Sequence, residues 1–188
     1  MGAIKHIFGF IRKKIASVSE KGRFNYAKKI GVKIDDGAKL IGMPDFGSEP
    51  WLIEIKSGAK ITAGVQFITH DGSVSVLRAL DEKYSKILKF GKIIVEEGAF
   101  IGNHAVILPN VRIGKGSVVG ACSLVSKDVP DGTVVAGNPA KIIATTNEVA
   151  EKWLKNTPEY DNAELQKSKR KVSTEIADYM WDLKHGKR

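Results

Sequence analysis

Residues 95–125 read VEEGAFIGNHAVILPNVRIGKGSVVGACSLV, and within them Val95, Ile101, Ile107, Ile113, Val119 and Val125 recur at every sixth place. Gly102, Gly114 and Gly120 each follow the aliphatic residue directly. Ala99, Ala105, Val111, Ser117, Ser123 and Val129, all small or β-branched, stand four places after it. A period of six fits neither an amphipathic helix (3.6) nor a half-buried strand (2). It fits a solenoid in which each hexad supplies one short strand and one corner. The aliphatic residue points inward and stacks on its equivalents, and the residue four places on must be slim because it sits near a corner. One hexad cannot cover its own apolar side, so adjacent coils must do it.

Working outward from this block, the same spacing returns at Ile53, Ala59 and Val65, with Ser57, Ala63 and Thr69 four places after. That predicts one three-sided coil over residues 53–70. A weaker copy, Val32-Lys33-Ile34-Asp35-Asp36-Gly37, precedes it and breaks at the Pro/Gly-rich run Met43–Pro50. Residues 71–94 do not thread as hexads and are read as a loop ejected from the coil. Residues 131–144 read as the strand and turn that close the solenoid. The expected organisation is a helical segment over 1–30, the repeat domain over 31–144 and helices over 145–188.

In the N-terminal segment Ile4, Ile7, Phe8, Ile11 and Ile15 share one helical face, which suits packing on the body or on another subunit. Attachment of this basic amphipathic helix to a membrane surface is the minor alternative. At the other end Asn147 is an expected N-cap, followed by Glu148 in the first turn. Val149, Trp153 and Leu154 form its apolar face, and Thr157-Pro158 ends it. A second helix is expected from about Ala163 to Leu183, with Ile176, Tyr179, Met180 and Leu183 as its apolar stripe.

The chain has 188 residues, of which 43% are hydrophobic and 27% charged, the balance of a globular protein. Its longest apolar run is far short of the roughly 18 residues that cross a bilayer. The N-terminal charges follow the apolar stretch, which is the wrong order for a secretion signal. The single cysteine, Cys122, cannot form an internal disulfide, so the cytoplasm is the expected compartment. The net charge of +9 is spread along the chain. Its densest run, Lys167–Lys171, has no interleaved aromatic residue on which a base could stack, so nucleic acid is not the expected partner.

Three stretches resemble one family. Thr69-His70-Asp71-Gly72, with Leu77-Arg78 and Phe90-Gly91-Lys92, is similar to a loop in which a histidine is followed by a Leu-Arg pair and a Tyr-Gly-Lys return. Ile101-Gly102-Asn103-His104 through Val119–Pro130 resembles a closing run of the type IGAGS-V-TKDVP, and Val135–Lys141 contains GNPAK. Over residues 32–143 the chain thus resembles the hexapeptide-repeat acetyltransferases, especially maltose/galactoside-type and polysaccharide O-acetyltransferases. The resemblance implies a mainly β fold, a left-handed parallel β-helix with flanking N- and C-terminal α-helices. It implies a homotrimer with acetyl-CoA in the groove between subunits, and direct transfer with no metal.

Acyl transfer from a thioester needs a base near neutral pKa to take the proton of the attacking hydroxyl or amine. The resemblance assigns this to His70. Asp71 is the candidate to hold the second imidazole nitrogen, because a catalytic histidine needs one ring nitrogen fixed. Carried over position by position, the acetyl-CoA contacts are Phe100, Asn103, Ala121, Ser126, Lys127 and Lys141. Phe100 replaces a tryptophan found in some relatives, and Cys122 replaces the usual glycine. His104 is read as an edge residue. Arg78 and Tyr84, in the ejected loop, are the candidate acceptor contacts. The expected acceptor is the hydroxyl of a sugar in a surface polysaccharide or lipopolysaccharide unit. An amino group on a nucleotide-linked amino-sugar is the alternative, and a non-catalytic scaffold is the other class of reading. A carbonic anhydrase on this fold would need three converging histidines, and Asn103 and Leu108 stand where two of them would be expected.

Overall fold

A computed structural model describes residues 13, 14 and 16–186. The expected apolar face at Ile4–Ile15 lies outside the described residues. The chain divides into two compact units, the first running through Thr146 and the second beginning at Asn147.

In the first unit the chain winds through three parallel sheets in rotation. The first coil holds β1 (Lys33–Ile34), β2 (Lys39–Leu40) and a bridge at Asp45. The second holds β3 (Ile53–Ile55), β4 (Lys60–Ile61) and β5 (Gln66–Phe67). The third holds β6 (Ile93–Val95), β7 (Phe100–Ile101) and β8 (Val106–Ile107), and the fourth β9 (Val111–Ile113), β10 (Val118–Val119) and β11 (Leu124–Val125). β12 (Thr133–Ala136) lies parallel to β10, and β13 (Lys141–Thr145) folds back antiparallel on β12. The sheet orders are β1-β3-β6-β9, then β13-β12-β10-β7-β4-β2, and β11-β8-β5.

Strands of two or three residues cannot hold a sheet through their own hydrogen bonds, so the interior carries the stability. Val95, Ile101, Ile107, Ile113 and Val119 are fully buried, and Val125 is 2% exposed. Burial of each such side chain is worth about 1.5–3 kcal/mol. Ala99, Ala105, Val111, Ser117 and Ser123 are buried beside them. The two serines satisfy their hydroxyls locally: Ser117 donates to the Gly114 carbonyl at 2.6 Å, and Ser123 accepts from the Gly137 amide at 3.2 Å.

The register differs from expectation in two places. In the second coil the residues aligned with Val95, Ile101 and Ile107 are Ile55, Ile61 and Phe67, two places after Ile53, Ala59 and Val65. Both sets are fully buried, because residues two apart on a strand share a face. Hydrophobicity alone therefore leaves this choice open, and the ladder decides it. Val129 bridges Ile113, and Val135 pairs with Val119, so the fifth coil opens two residues early. Val129 is thus the next inward residue rather than a corner residue.

The Met43–Pro50 run does not end the first coil. Asp45 bridges Gln66, and Phe46 is buried and stacks on Phe67 with parallel rings 5.8 Å apart. The upper end of the solenoid is covered by α1 (Glu20–Ile30). Ser19 caps its N-terminus by accepting from the Gly22 amide, and Gly31 ends it with φ 105°. Ala27 is fully buried, Phe24 and Ile30 pack on the core, and the Arg23 Nε donates to the Leu40 carbonyl at 2.6 Å.

The ejected loop carries α2 (Val74–Arg78) and a short 3-10 turn over Glu82–Tyr84. Strand β6 begins at Ile93, so the return to the coil falls slightly before the expected residue 94. The second unit contains most of α3 (Thr146–Asn156), then α4 (Asn162–Lys167) and α5 (Lys169–Lys184). Helix α3 starts at Thr146, so Asn147 lies in its first turn and is not its cap. The expected single helix from Ala163 is two, broken at Ser168. Val172 is the buried residue of α5, whereas Leu183 is exposed. Among the described residues no helix is long and apolar enough to cross a membrane.

One corner carries a local cost. Two places past Gly102 and Gly120 in their coils, His104 (φ 59°) and Cys122 (φ 58°) adopt left-handed backbone, as Gly64 (φ 69°) does one coil earlier. A side chain at Gly64 would require the exposed His104 ring to move aside. A non-glycine residue in this conformation costs about 1–2 kcal/mol, less the roughly 0.5–1 kcal/mol of extra chain entropy a glycine loses on folding. Cys122→Gly is therefore expected to stabilise the fold by about 0.5–1 kcal/mol, read as a small rise in Tm.

Candidate active site

The corner joining the β5 sheet to the β6 sheet carries the loop neck. The Gly91 amide donates to the Thr69 carbonyl at 2.8 Å, and the Asp71 amide donates to the Lys89 carbonyl at 3.0 Å. His70 and Phe90 form an antiparallel bridge between them. The coil thus leaves and re-enters at adjacent backbone positions, and His70 sits at the exit.

The partner of His70 is Glu49. The imidazole Nδ1 lies 2.9 Å from Glu49 Oε2, and the same oxygen accepts the Thr69 hydroxyl at 2.7 Å. The Glu49 side chain is only 16% exposed, whereas that of His70 is 43% exposed. The Thr69 hydroxyl, then the His70 contact, outweigh partial burial and hold the Glu49 carboxyl below the usual carboxylate range. An ionised Glu49 accepts only, so Nδ1 is the protonated nitrogen and Nε2 is left as the basic one. The Phe90 ring, half exposed, stands beside the imidazole with centroids 6.0 Å apart.

Asp71 is engaged elsewhere. Its carboxylate accepts from Lys89 Nζ at 2.8 Å and from the Ser73 amide at 3.0 Å. Those bonds hold its carboxyl far below the ordinary value, with the Lys89 contact the largest cause. The carboxylate bonded to the His70 ring therefore belongs to the coil above and not to the adjacent residue. Side chains of sequence neighbours diverge on an extended backbone, while residues one coil apart lie about 4.8 Å from each other. Glu49 was missed because it falls in the Pro/Gly-rich run that interrupts the repeat.

The other candidates fall on different parts of the solenoid. The alignment of Phe67, Ile107 and Val125 places Ser126 and Lys127 on the His70 corner, two coils further along. Asn103 and Ala121 lie on the next corner, across the β5-β8-β11 face, and both are exposed. Asn103 is partly committed: its Oδ1 accepts the Ala63 amide at 3.1 Å. Lys141 pairs with Ala136 near the end of that column, and Phe100 lies half-buried on the β7 face between Lys60 and Val118. Arg78 braces the loop, its Nε donating to the Ile87 carbonyl at 2.7 Å. Tyr84 is exposed, with Lys83 Nζ 4.8 Å from its ring centre. Cys122 is an exposed free thiol. Among the described residues no group of three or more His, Cys, Asp or Glu side chains is placed to hold a metal ion.

Comparison with known proteins agrees with this architecture. The bacterial transferase hexapeptide (six repeats) pattern matches residues 92–127. "Protein CapG" from Staphylococcus aureus is 43% identical over 131 residues, 69% of this chain and 74% of that protein. A 2,3,4,5-tetrahydropyridine-2,6-dicarboxylate N-acetyltransferase from Staphylococcus aureus (strain bovine RF122 / ET3-1) is 46% identical over 80 residues, 43% of this chain but only 32% of that enzyme. A solved maltose O-acetyltransferase from Clostridium difficile 630 shares the fold with a TM-score of 0.50 at 17% identity, over 73% of this chain and 84% of that one. The chain belongs to the hexapeptide-repeat acetyltransferase family. It is an acyltransferase.

Proposed function

We propose that this enzyme transfers the acetyl group of acetyl-CoA to a sugar hydroxyl of a surface polysaccharide or lipopolysaccharide unit, with His70 as general base. The observation that carries this reading is the exposed imidazole whose Nδ1 is held by Glu49 at the mouth of the loop. Nε2 takes the proton of the acceptor hydroxyl as its oxygen attacks the thioester carbonyl. The tetrahedral intermediate collapses with cleavage of the C–S bond. The imidazolium then returns the proton to the departing thiolate, so no covalent enzyme intermediate forms. A backbone N–H at a coil corner supplies the oxyanion donor. The half-exposed Phe90 ring beside the base suits the apolar face of a pyranose.

The coils wind left-handed, and the active assembly is a homotrimer. The separation of the candidates supports the trimer. Within one chain, the His70 corner and the Asn103–Ala121 corner stand a full face apart, roughly 15–20 Å for six extended residues. A groove between two copies brings the base of one against the column of the other. Acetyl-CoA lies there, its pantetheine arm along Asn103 and Ala121, with Phe100 and Ser126 beside it and Lys127 and Lys141 toward the phosphates. The enzyme acts in the cytoplasm, where acetyl-CoA is available. The 46% identity to an N-acetyltransferase over 80 residues, 32% of that enzyme, favours one second reading, an amino group in place of the hydroxyl as acceptor; the same base serves both.

The test is a screen of hydroxylated and amino sugars with acetyl-CoA, read by CoA thiol release. The exposed Cys122 thiol adds its own signal, so Cys122→Ser enzyme is the appropriate background. Release with a hydroxylated sugar is the expected result. Release with amino sugars alone transfers the assignment to N-acetylation, and release with neither removes it.

A further inference from the structure

We propose that Thr69 is a positioning residue of this site: its buried hydroxyl clamps the Glu49 carboxylate against His70, so that Nδ1 stays protonated and Nε2 stays free to act. The inference rests on the reading of His70 as the base and adds a third member to that pair.

Thr69 is 1% exposed, at the last inward place of the second coil. It is one of few buried polar residues in an interior of Ile, Val, Ala and Phe. The register places Pro109 at the equivalent position one coil on, so the next turn of this corner has no hydroxyl. A hydroxyl in that setting needs an acceptor, since leaving one unsatisfied costs about 1–3 kcal/mol. Its acceptor is Glu49 Oε2, the same oxygen that meets His70 Nδ1.

Two donors on one oxygen fix both the reach and the rotation of the carboxylate. Glutamate on its own has several free torsions, and holding them in one arrangement costs entropy. Thr69 is stiff at its β-branched carbon, so it restricts them without adding freedom of its own. Its backbone carbonyl also accepts from Gly91, which ties the clamp to the neck of the loop. Loss of the hydroxyl leaves Glu49 free to swing toward solvent, and the imidazole then samples both tautomers. The tautomer with hydrogen on Nε2 cannot take a proton there.

The test compares Thr69→Val, which keeps the shape and removes the donor, with Thr69→Ser, which keeps the donor. Thr69→Val is expected to lower kcat about 10-fold with the KM for acetyl-CoA unchanged, and Thr69→Ser to stay within about threefold of wild type. The second readout is the pair of imidazole ¹⁵N shifts of His70, assigned by their loss in His70→Asn. A single Nδ1–H tautomer in the wild type and in Thr69→Ser, and a mixture in Thr69→Val, is the expected pattern. Unchanged shifts in Thr69→Val, or equal losses of kcat in both variants, overturn the proposal. The shifts need no turnover, so they judge the clamp even if no acceptor is found and the acetyl-transfer reading itself fails.

Discussion

His70→Ala is expected to lower kcat/KM for acetyl transfer by about 10²- to 10⁴-fold, the range a positioned general base supplies. Acetyl-CoA binding should persist, because the proposed contacts of the donor lie along the coils and not on the imidazole. Stability should change little, since the ring is 43% exposed and Glu49 keeps its bond to Thr69. Thiol release at saturating acceptor, paired with direct binding of CoA, separates these effects. Turnover equal to wild type would remove the histidine from the mechanism. Loss of CoA binding would mean that the residue serves the donor site instead.

Glu49→Gln carries the second large effect. Glutamine has the same shape but no charge, and charge-assisted hydrogen bonds are roughly twice as strong as neutral ones. The amide can still accept from the Thr69 hydroxyl and from Nδ1–H through one oxygen. When it turns over, its NH2 faces two donors. We expect a loss of about 10²-fold in kcat/KM; the equivalent carboxylate-to-amide change in a serine-protease triad costs about 10⁴-fold.

The same substitution has a signature in stability against pH. The folded Glu49 carboxyl titrates below its ordinary value of 4.5. Its contribution is therefore complete above that value and is lost as pH falls through the lower, folded one. Tm of the wild type minus that of Glu49→Gln should shrink as pH is lowered below about 4, where the Glu49 carboxyl itself takes up a proton. A difference that stays constant as the carboxyl is protonated would mean that the ionised Glu49 does not stabilise the folded state.

Much of the solenoid was legible because its interior repeats. A single aliphatic column is dictated by the distance from one coil to the next, and each member leaves the same mark every six residues. The ejected loop was visible as the gap in that rhythm, and His70 as the last residue before the gap. The failures share one cause. At Ile53–Phe67 two columns, offset by two residues, are equally apolar, and only strand pairing chooses between them. At Val129 the same ambiguity hid a coil that begins early. Over Met43–Pro50 the rhythm is lost although Phe46 still fills the column, because turn residues on both sides break the pattern without breaking the stack.

The period of six, the placement of the histidine at a break and the family likeness all follow from residues close together along the chain, where side-chain type and spacing are sufficient. Glu49 reaching His70 and Thr69 across 21 and 20 residues does not, and neither does Asp71 turning to Lys89. Those pairings depend on which residues the winding sets one coil apart, and that vertical neighbourhood exists only once the coils have stacked.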